Sequence, residues 1–205
     1  MITKLLLLFI IIGQIFATPF IEDGKRPELF EIMDKEVPIF RITIPDEKLI
    51  ELNKAMQSEK FDANKELDKA VKEANGETVE VFEFEKVKDA KMVVEINGTK
   101  KEFNKVNFDL GGSSARTYGR QGFNIKIKDK KKDLYGRTQF RLRPDPREAT
   151  YLREKLSCDM LNRMGAVSIS ANYATLYVNG KYFGFYILMD APKLSWIEQI
   201  FGENT

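Results

Sequence analysis

Four residues in a glycine and serine turn, Gly111, Gly112, Ser113 and Ser114, are of types that could bind phosphate groups. Glycine lets backbone N–H groups approach a phosphate closely, and serine hydroxyls add further hydrogen-bond donors. The turn matches neither the Walker pattern nor the dinucleotide-binding pattern, because the required glycine spacing between a strand and a helix is missing. The residue types therefore leave two interpretations open, a phosphate-binding loop and an ordinary connection between strands.

Cations near this turn favour phosphate binding. Arg120 directly precedes the alternating segment GFNIKIK at residues 122–128, and Lys126 projects from the polar face of that segment. In protein kinases a lysine on a strand beneath a glycine-rich loop holds the nucleotide phosphates, and a helix glutamate pairs with that lysine. Here the turn and basic strand are followed by a hairpin, a helix with Glu154, a second hairpin and Asp190. This order predicts a kinase-like small lobe.

The composition excludes several other kinds of site. The chain of 205 residues contains no histidine and a single cysteine, Cys158. A Ser-His-Asp triad, a Cys-His pair and an internal disulfide are therefore excluded, and no plausible zinc or haem ligand set remains. With 33 Lys and Arg residues against 31 Asp and Glu residues, the charge balance gives no reason to expect a nucleic acid partner.

The N-terminus has the features of a secretory signal peptide. Lys4 precedes an apolar run from Leu5 to Ile12, and the small residue Ala17 follows. The apolar run is shorter than the roughly 20 residues that a membrane-spanning helix needs. The sequence thus predicts a signal peptide over residues 1–17 and a secreted protein with no membrane segment after cleavage, and a membrane anchor is the alternative.

Alternating strands and tight turns predict an α+β fold. The Asn-Gly pairs at 97–98 and 179–180 lie between alternating segments, which is the strongest short-range signal for a β-hairpin. The first pair also begins an Asn-Gly-Thr sequon, so Asn97 is a candidate glycosylation site as well as a turn residue. A helix is expected from Pro146 to about Met164, ended by a Gly165 cap. Its apolar face at helical spacing consists of Leu152, Leu156, Met160 and Met164.

These elements divide the chain into four parts. Residues 1–17 form the signal peptide, and residues 18–37 are expected to be an extended lead-in. Residues 38–108 are an antiparallel, β-rich part with a charged helical insertion between 59 and 77. Residues 109–205 are expected to form the kinase-like small lobe.

Three segments of this last part resemble the CotH family, which comprises spore-coat and secreted proteins with an atypical protein-kinase fold. The family pattern has a Gly-Asn-Ser-Ser-like turn, a Lys-x-x-Phe/Tyr-x-Ile-Lys strand, an LR-x-x-L helix ending in Gly, and a Tyr-x-Asn-Gly-x-Tyr-x-Gly-x-Tyr hairpin ending in an acid. The closing segment DAPKLSWIEQIFGE is similar to CotH-like proteins of anaerobic gut fungi. The three segments are LGGSSARTYGRQGFNIKIK, LYGRTQFRLRPDPREATYLREKLSCDMLNRMG and ATLYVNGKYFGFYILMD.

The resemblance implies a secreted enzyme that uses ATP and Mg²⁺ to phosphorylate spore-coat or cell-surface proteins. Gly111 to Ser114 would face the phosphates, and Arg120 would stand where the family has its nucleotide-holding lysine. Lys126 is the alternative cation, because an extra residue in the loop leaves the alignment open. Glu154 would be the helix glutamate, and Asp190 would close the lobe at the hinge.

The resemblance also implies that this chain is a C-terminally truncated member without the large lobe. The catalytic and metal-binding aspartates of the family lie beyond the hinge helix, so no catalytic residue is expected up to Thr205, and the chain is expected to be inactive alone. Secreted or cell-surface proteins would be its partners. The alternative is a non-catalytic secreted module with a structural or adhesive role in a spore or cell wall.

Overall fold

The computed structural model describes residues 20–21, 26–58, 63–77, 84–112 and 118–202. Within these ranges it contains five helices and seven strands, which confirms a mixed, strand-rich fold. The helices are α1 (Glu28–Met33), α2 (Asp46–Ser58), α3 (Ala63–Ala74), α4 (Leu152–Arg163) and α5 (Leu194–Phe201). The strands are β1 (Ile39–Thr43), β2 (Val87–Ile96), β3 (Thr99–Gly111), β4 (Gly122–Ile127), β5 (Gln139–Arg143), β6 (Ala171–Val178) and β7 (Lys181–Asp190). The predicted signal peptide at 1–17 lies outside the described residues.

The seven strands form a closed barrel in the order β1-β2-β3-β4-β5-β7-β6. Neighbouring strands are antiparallel except for β1 and β6, whose parallel pairing closes the barrel. The two predicted hairpins are confirmed as β2–β3 and β6–β7. Asn97 and Asn179 at their tips have φ angles of 50° and 47°, and a glycine with positive φ follows each of them, as a tight two-residue turn requires.

One hydrophobic core fills the barrel. Phe123, Ile125 and Ile127 of β4 point inward, as their alternation predicts, and Phe123 stacks on Phe108 of β3 with ring centroids 4.9 Å apart. β3 crosses the position between residues 108 and 109, where the sequence suggested a boundary. Strands from both sides of that position share the barrel and its core.

The prediction of an extended lead-in at residues 18–37 is wrong over Glu28–Met33, where the chain forms α1. Leu29 and Phe30 are fully buried and Met33 is 2% exposed, because these three residues share one face of the helix. Pro27, which favoured an extended conformation, occupies the N-cap of α1. Proline at a helix start lacks only a hydrogen bond that the helix would not make there.

The prediction for α4 is partly wrong. The helix begins at Leu152 rather than Pro146, although Gly165 follows its end with a positive φ of 71°, as predicted. The apolar face that helical spacing predicts is exposed. Its exposed fractions are 55% for Leu152, 51% for Leu156, 49% for Met160 and 69% for Met164.

The charged insertion between residues 59 and 77 agrees with its prediction as a helical segment. It contains α3, and every side chain of α3 that the structure describes is exposed, as predicted. Across the described ranges, no helix combines the length and the apolar character needed to span a membrane.

Candidate nucleotide site

Polar side chains cover the outer face of β3, β4 and β5 beside the glycine turn. The strand register aligns Asp109 with Asn124, and Asn124 with Arg141. Because alternate residues of a strand point to opposite faces, the same register that sends Phe123 into the barrel sends these three side chains outward. The barrel wall thus presents a row of hydrogen-bonding groups that begins next to Gly111.

The row forms the floor of a cavity of about 290 Å³. Lys126 lies in it, between Asn107 and Gln139 on the neighbouring strands. Ala191, the residue after Asp190, forms part of its edge. The polar side chains that line the cavity are those of Lys86, Asn107, Asp109, Asn124, Lys126, Gln139, Arg141 and Lys193.

A second cavity of about 260 Å³ adjoins the first, since both include Asn124 and Arg141 in their walls. Its lining also includes Gly111, Gly112 and Arg143, together with Phe123 and Leu142. Gly112 has a φ of 74°, and a Cβ atom built there would lie 2.9 Å from Nη1 of Arg143. A side chain at this position would therefore be strained and would displace the guanidinium. Gly112 and the Arg143 guanidinium lie this close because residue 112 has no side chain.

Arg141 and Arg143 are the cations closest to the turn that the sequence prediction missed. They come from β5, about 30 residues beyond the turn, and reach it because β5 pairs with β4. The segment TQFRLRP carried a usable signal, since two arginines at alternate positions of a strand must share one face.

Arg120 is held against β7. Its Nη1 donates a hydrogen bond to the Tyr151 hydroxyl at 2.6 Å, and its Nη2 donates to the Phe185 carbonyl at 3.1 Å. A Cβ atom at Gly184, where φ is 136°, would lie 2.6 Å from Nη2. The structure thus gives Arg120 a set of protein partners and places Lys126, the alternative cation, in the larger cavity. Ser113 and Ser114 lie outside the described residues.

Glu154 lies on the side of α4 that faces the barrel. Its side chain is half-buried, and its Oε2 atom is buried without a hydrogen-bond partner in the described structure. Burial raises the pKa of Glu154, Asp145 raises it further, and Arg143 and Arg153 act in the opposite direction. The charge of Arg143 therefore acts on this carboxylate, although the described structure shows no hydrogen bond between the two side chains.

Asp190 takes part in a buried ion pair at the end of the barrel. Its Oδ2 atom lies 2.8 Å from Nε of Arg137, and the two side chains are 1% and 3% exposed. Burial raises the pKa of Asp190, against the effect of Arg137. Arg137 also donates to the carbonyl of Ser195 at 3.1 Å, so the pair fixes the start of α5 to the barrel. The side chain of Asp190 serves as an anchor here, next to the cavity edge formed by Ala191.

The arrangement suits a polyphosphate better than a metal ion. Two glycines and the cations Lys126, Arg141 and Arg143 line one continuous concavity, and a phosphate chain could accept hydrogen bonds from these cations. Within the described residues, no group of three or more His, Cys, Asp or Glu side chains is placed to hold a metal ion. The described residues therefore provide no all-protein ligand set for the Mg²⁺ that the resemblance implies.

The candidate glycosylation site precedes the nucleotide-site residues in the sequence and lies at the tip of the β2–β3 hairpin. Asn97 is exposed, and its backbone N–H donates to Oε2 of Glu36 at 2.7 Å. The turn geometry explains the Asn-Gly pair by itself, and glycosylation of Asn97 stays a prediction.

Comparison with protein-family models matches residues 109–205 to the family described as CotH kinase protein. The match begins in β3 and includes the glycine turn, β4 to β7, α4 and α5. The resemblance predicted from the sequence motifs is confirmed over these residues. A search of curated proteins finds no significant match to the chain.

Proposed function

Taking the CotH kinase match over residues 109–205 as the premise, we propose that the protein binds ATP on the outer face of β3, β4 and β5. The phosphates lie in the smaller cavity, between Gly111, Gly112 and Arg143. The nucleoside lies in the adjoining cavity, over Asn124 and Arg141.

The close approach of Arg143 to Gly112 is the main observation behind this proposal. Gly112 has no side chain, and the guanidinium of Arg143 reaches it across β4, so the cation lies directly beside this residue. Backbone N–H groups of a glycine turn and a forked guanidinium are both suited to phosphate oxygens. Glu154, near Arg143 and without a hydrogen bond at Oε2, is suited to orient that guanidinium when a nucleotide is bound.

The biological role that we propose is phosphoryl transfer from ATP to secreted spore-coat or cell-surface proteins. This role rests on the family match and on the signal-peptide pattern of residues 1–17. Because the described residues offer no ligand set for Mg²⁺, we assign them nucleotide binding and orientation only. Phosphoryl transfer further requires metal-borne charge neutralisation.

Isothermal titration calorimetry with ATP tests the site through Arg143→Ala. We expect the variant to weaken ATP binding about tenfold or more, because a charge-assisted hydrogen bond contributes about 1.5–3 kcal/mol. Arg143→Lys should recover only part of the affinity, since an ammonium cannot replace the planar fork. The matched control is Arg41→Ala, which removes another strand arginine that pairs with Glu95 on a different part of the barrel.

Equal affinities in Arg143→Ala and the wild-type protein would show that the nucleotide lies elsewhere. A wild-type protein that does not bind ATP would contradict the proposed function and favour a non-catalytic wall or adhesion module. Transfer itself is tested by incubating the protein with radiolabelled ATP and secreted acceptor proteins. Label on an acceptor that depends on Arg143 would support the enzymatic role.

A further inference from the structure

Three charged side chains on α4 face the N-terminal region of the chain. Lys155, Asp159 and Arg163 are spaced four residues apart, so they form one stripe along the helix. This stripe lies beside the face that contains Glu154, Cys158 and Asn162. All three of its charged side chains contact described residues that precede β1.

Each residue of the stripe has a partner there. Nζ of Lys155 donates to Oδ1 of Asp34 at 3.1 Å. Oδ1 of Asp159 lies 3.5 Å from Nη1 of Arg26. At the last position, the Arg163 guanidinium donates to the Phe20 carbonyl at 2.6 Å and lies 4.5 Å from the centre of the Phe20 ring. We call the described residues Phe20, Ile21 and 26–34 the N-terminal clamp.

The N-terminal clamp is itself firmly anchored. Leu29, Phe30 and Met33 of α1 belong to the main core. Asp34, directly after α1, also accepts hydrogen bonds from Arg26 and, at 2.8 Å, from Asn172 of β6. Although burial alone would raise it, the hydrogen bonds and positive charges of Arg26 and Lys155 hold the pKa of Asp34 below its ordinary value. Asp34 thus joins α1, α4 and the barrel at one carboxylate.

By contrast, α4 has few apolar contacts of its own. Its buried side chains are Cys158 and Asn162, and Cys158 belongs to a small cluster separate from the main core. A helix in a folded protein is stabilised mainly by the packing of its apolar face, and the apolar stripe of α4 is exposed. The position of α4 therefore depends more on its charged contacts with the N-terminal clamp than on apolar packing.

We propose that the N-terminal clamp sets the position of α4 and, through it, the position of the Glu154 carboxylate relative to Arg143. The second half of this statement rests on the proposed nucleotide site. Asp34 and Lys155 are positioning residues in this arrangement, since they act on the site through α4. An element whose packing is weak and whose tethers are polar can move without unfolding of the barrel.

Cys158 provides a direct measure of the position of α4. It is the only cysteine of the chain, it is 7% exposed, and it lies between α4 and the barrel. Burial, followed by Asp159 and Glu154, raises the pKa of its thiol to about 11, so alkylation at neutral pH is slow. Movement of α4 away from the barrel exposes the thiol and returns its pKa towards the ordinary value.

The experiment compares Lys155→Met and Asp34→Asn with the wild-type protein. We expect N-ethylmaleimide to alkylate Cys158 about tenfold faster in both variants, since each pKa unit recovered increases the thiolate fraction tenfold. Hydrogen exchange of the α4 amides should rise while that of β3, β4 and β5 stays unchanged. Lys155→Arg, which keeps the cation, should retain the wild-type rate.

Two controls match the chemistry of these changes. Lys48→Met removes a lysine that pairs with Glu51 on α2, and Asp89→Asn removes an exposed carboxylate that pairs with Lys105. Neither should alter the alkylation rate of Cys158. An unchanged rate in Lys155→Met and Asp34→Asn, or exchange that rises equally throughout the barrel, would overturn the proposal.

ATP titration separates this proposal from the proposed function. We expect Lys155→Met to weaken ATP binding about fivefold, a modest value for coupling between two sites, and Lys48→Met to leave it unchanged. Faster alkylation with unchanged ATP affinity would overturn the link from α4 to the nucleotide site. If the wild-type protein does not bind ATP, the proposed function fails, and Cys158 alkylation still decides whether the N-terminal clamp holds α4.

Discussion

Glu148 caps the start of α4. Its carboxylate accepts hydrogen bonds from the backbone N–H groups of Thr150 at 3.0 Å, Leu152 at 2.9 Å and Arg153 at 3.3 Å, and from the Thr150 hydroxyl. The first N–H groups of a helix have no partner within the helix, so a carboxylate placed there both satisfies them and interacts favourably with the helix dipole. The Thr150 hydroxyl, together with these N–H groups, lowers the pKa of Glu148 to about 2.

This cap predicts a pH-dependent stability. A carboxyl group whose folded pKa lies below its unfolded value stabilises the fold above the unfolded pKa, and that stabilisation is lost as the pH falls through the folded pKa. We therefore expect Glu148→Gln to lower the melting temperature at pH 7, and the difference from the wild-type protein to shrink between pH 4.5 and about 2. Thermal melts followed by circular dichroism measure it.

Glu66→Gln on the exposed helix α3 is the control for this prediction and should match the wild-type protein at every pH. A difference for Glu148→Gln that stays constant down to about pH 2 would mean that the carboxylate does not make these hydrogen bonds.

At the residue scale, the sequence hypothesis placed Arg120 or Lys126 beside the glycine turn because both are close to it along the chain. Arg120 and Lys126 are close in sequence, whereas Arg143 becomes a neighbour of Gly112 only after β4 and β5 pair. Arg120 donates hydrogen bonds to Tyr151 and Phe185, and both of these partners come from distant parts of the chain. Contacts of this kind depend on strand register, which a single sequence does not specify.

At the scale of elements, local chemistry determined which predictions succeeded. Both Asn-Gly hairpins could be predicted because a two-residue turn depends on its own residues. The inward face of α4 could not be predicted, because Glu154, Cys158 and Asn162 face the barrel in place of the apolar stripe. The N-terminal clamp that favours this orientation lies more than a hundred residues earlier in the chain.

The exposed stripe of α4 gives a prediction at this scale. Leu156 is 51% exposed, so we expect Leu156→Glu to change the free energy of unfolding by no more than about 0.5 kcal/mol. The control is Leu142→Ala on β5, which removes a fully buried side chain and should cost about 2–5 kcal/mol. Urea denaturation measures both.

A large loss of stability in Leu156→Glu would show that the stripe is buried against a protein surface in solution. Light scattering on the wild-type protein and Leu156→Glu identifies the cause, because self-association through the stripe would disappear in Leu156→Glu.

At the scale of the whole molecule, barrel closure joins the two parts that the sequence analysis separated at residue 108. β1 pairs with β2 on one side and with β6 on the other, so it connects the first hairpin to the last. Phe40 and Ile42 of β1 are buried beside residues of the CotH-matched region, and Phe40 contacts Phe140 with ring centroids 6.2 Å apart. A parallel pair so distant in sequence leaves no local signal, which is why the strands were predictable and the barrel was not.

The shared core predicts that residues 109–205 do not fold alone, although the family match covers them. A cut before residue 109 removes β1, β2 and most of β3, which would open the barrel and expose the inward faces of β4 and β5, whose Phe123 and Phe140 are 1% exposed in the whole chain. Unpaired edges and an uncovered apolar face favour aggregation over a cooperative fold. We expect a fragment of residues 109–205 to show no cooperative thermal transition, whereas residues 20–205 should melt cooperatively. A sharp transition in the short fragment would mean that its strands close a core without β1 and β2, and the region recognised as CotH kinase would then be a domain in its own right.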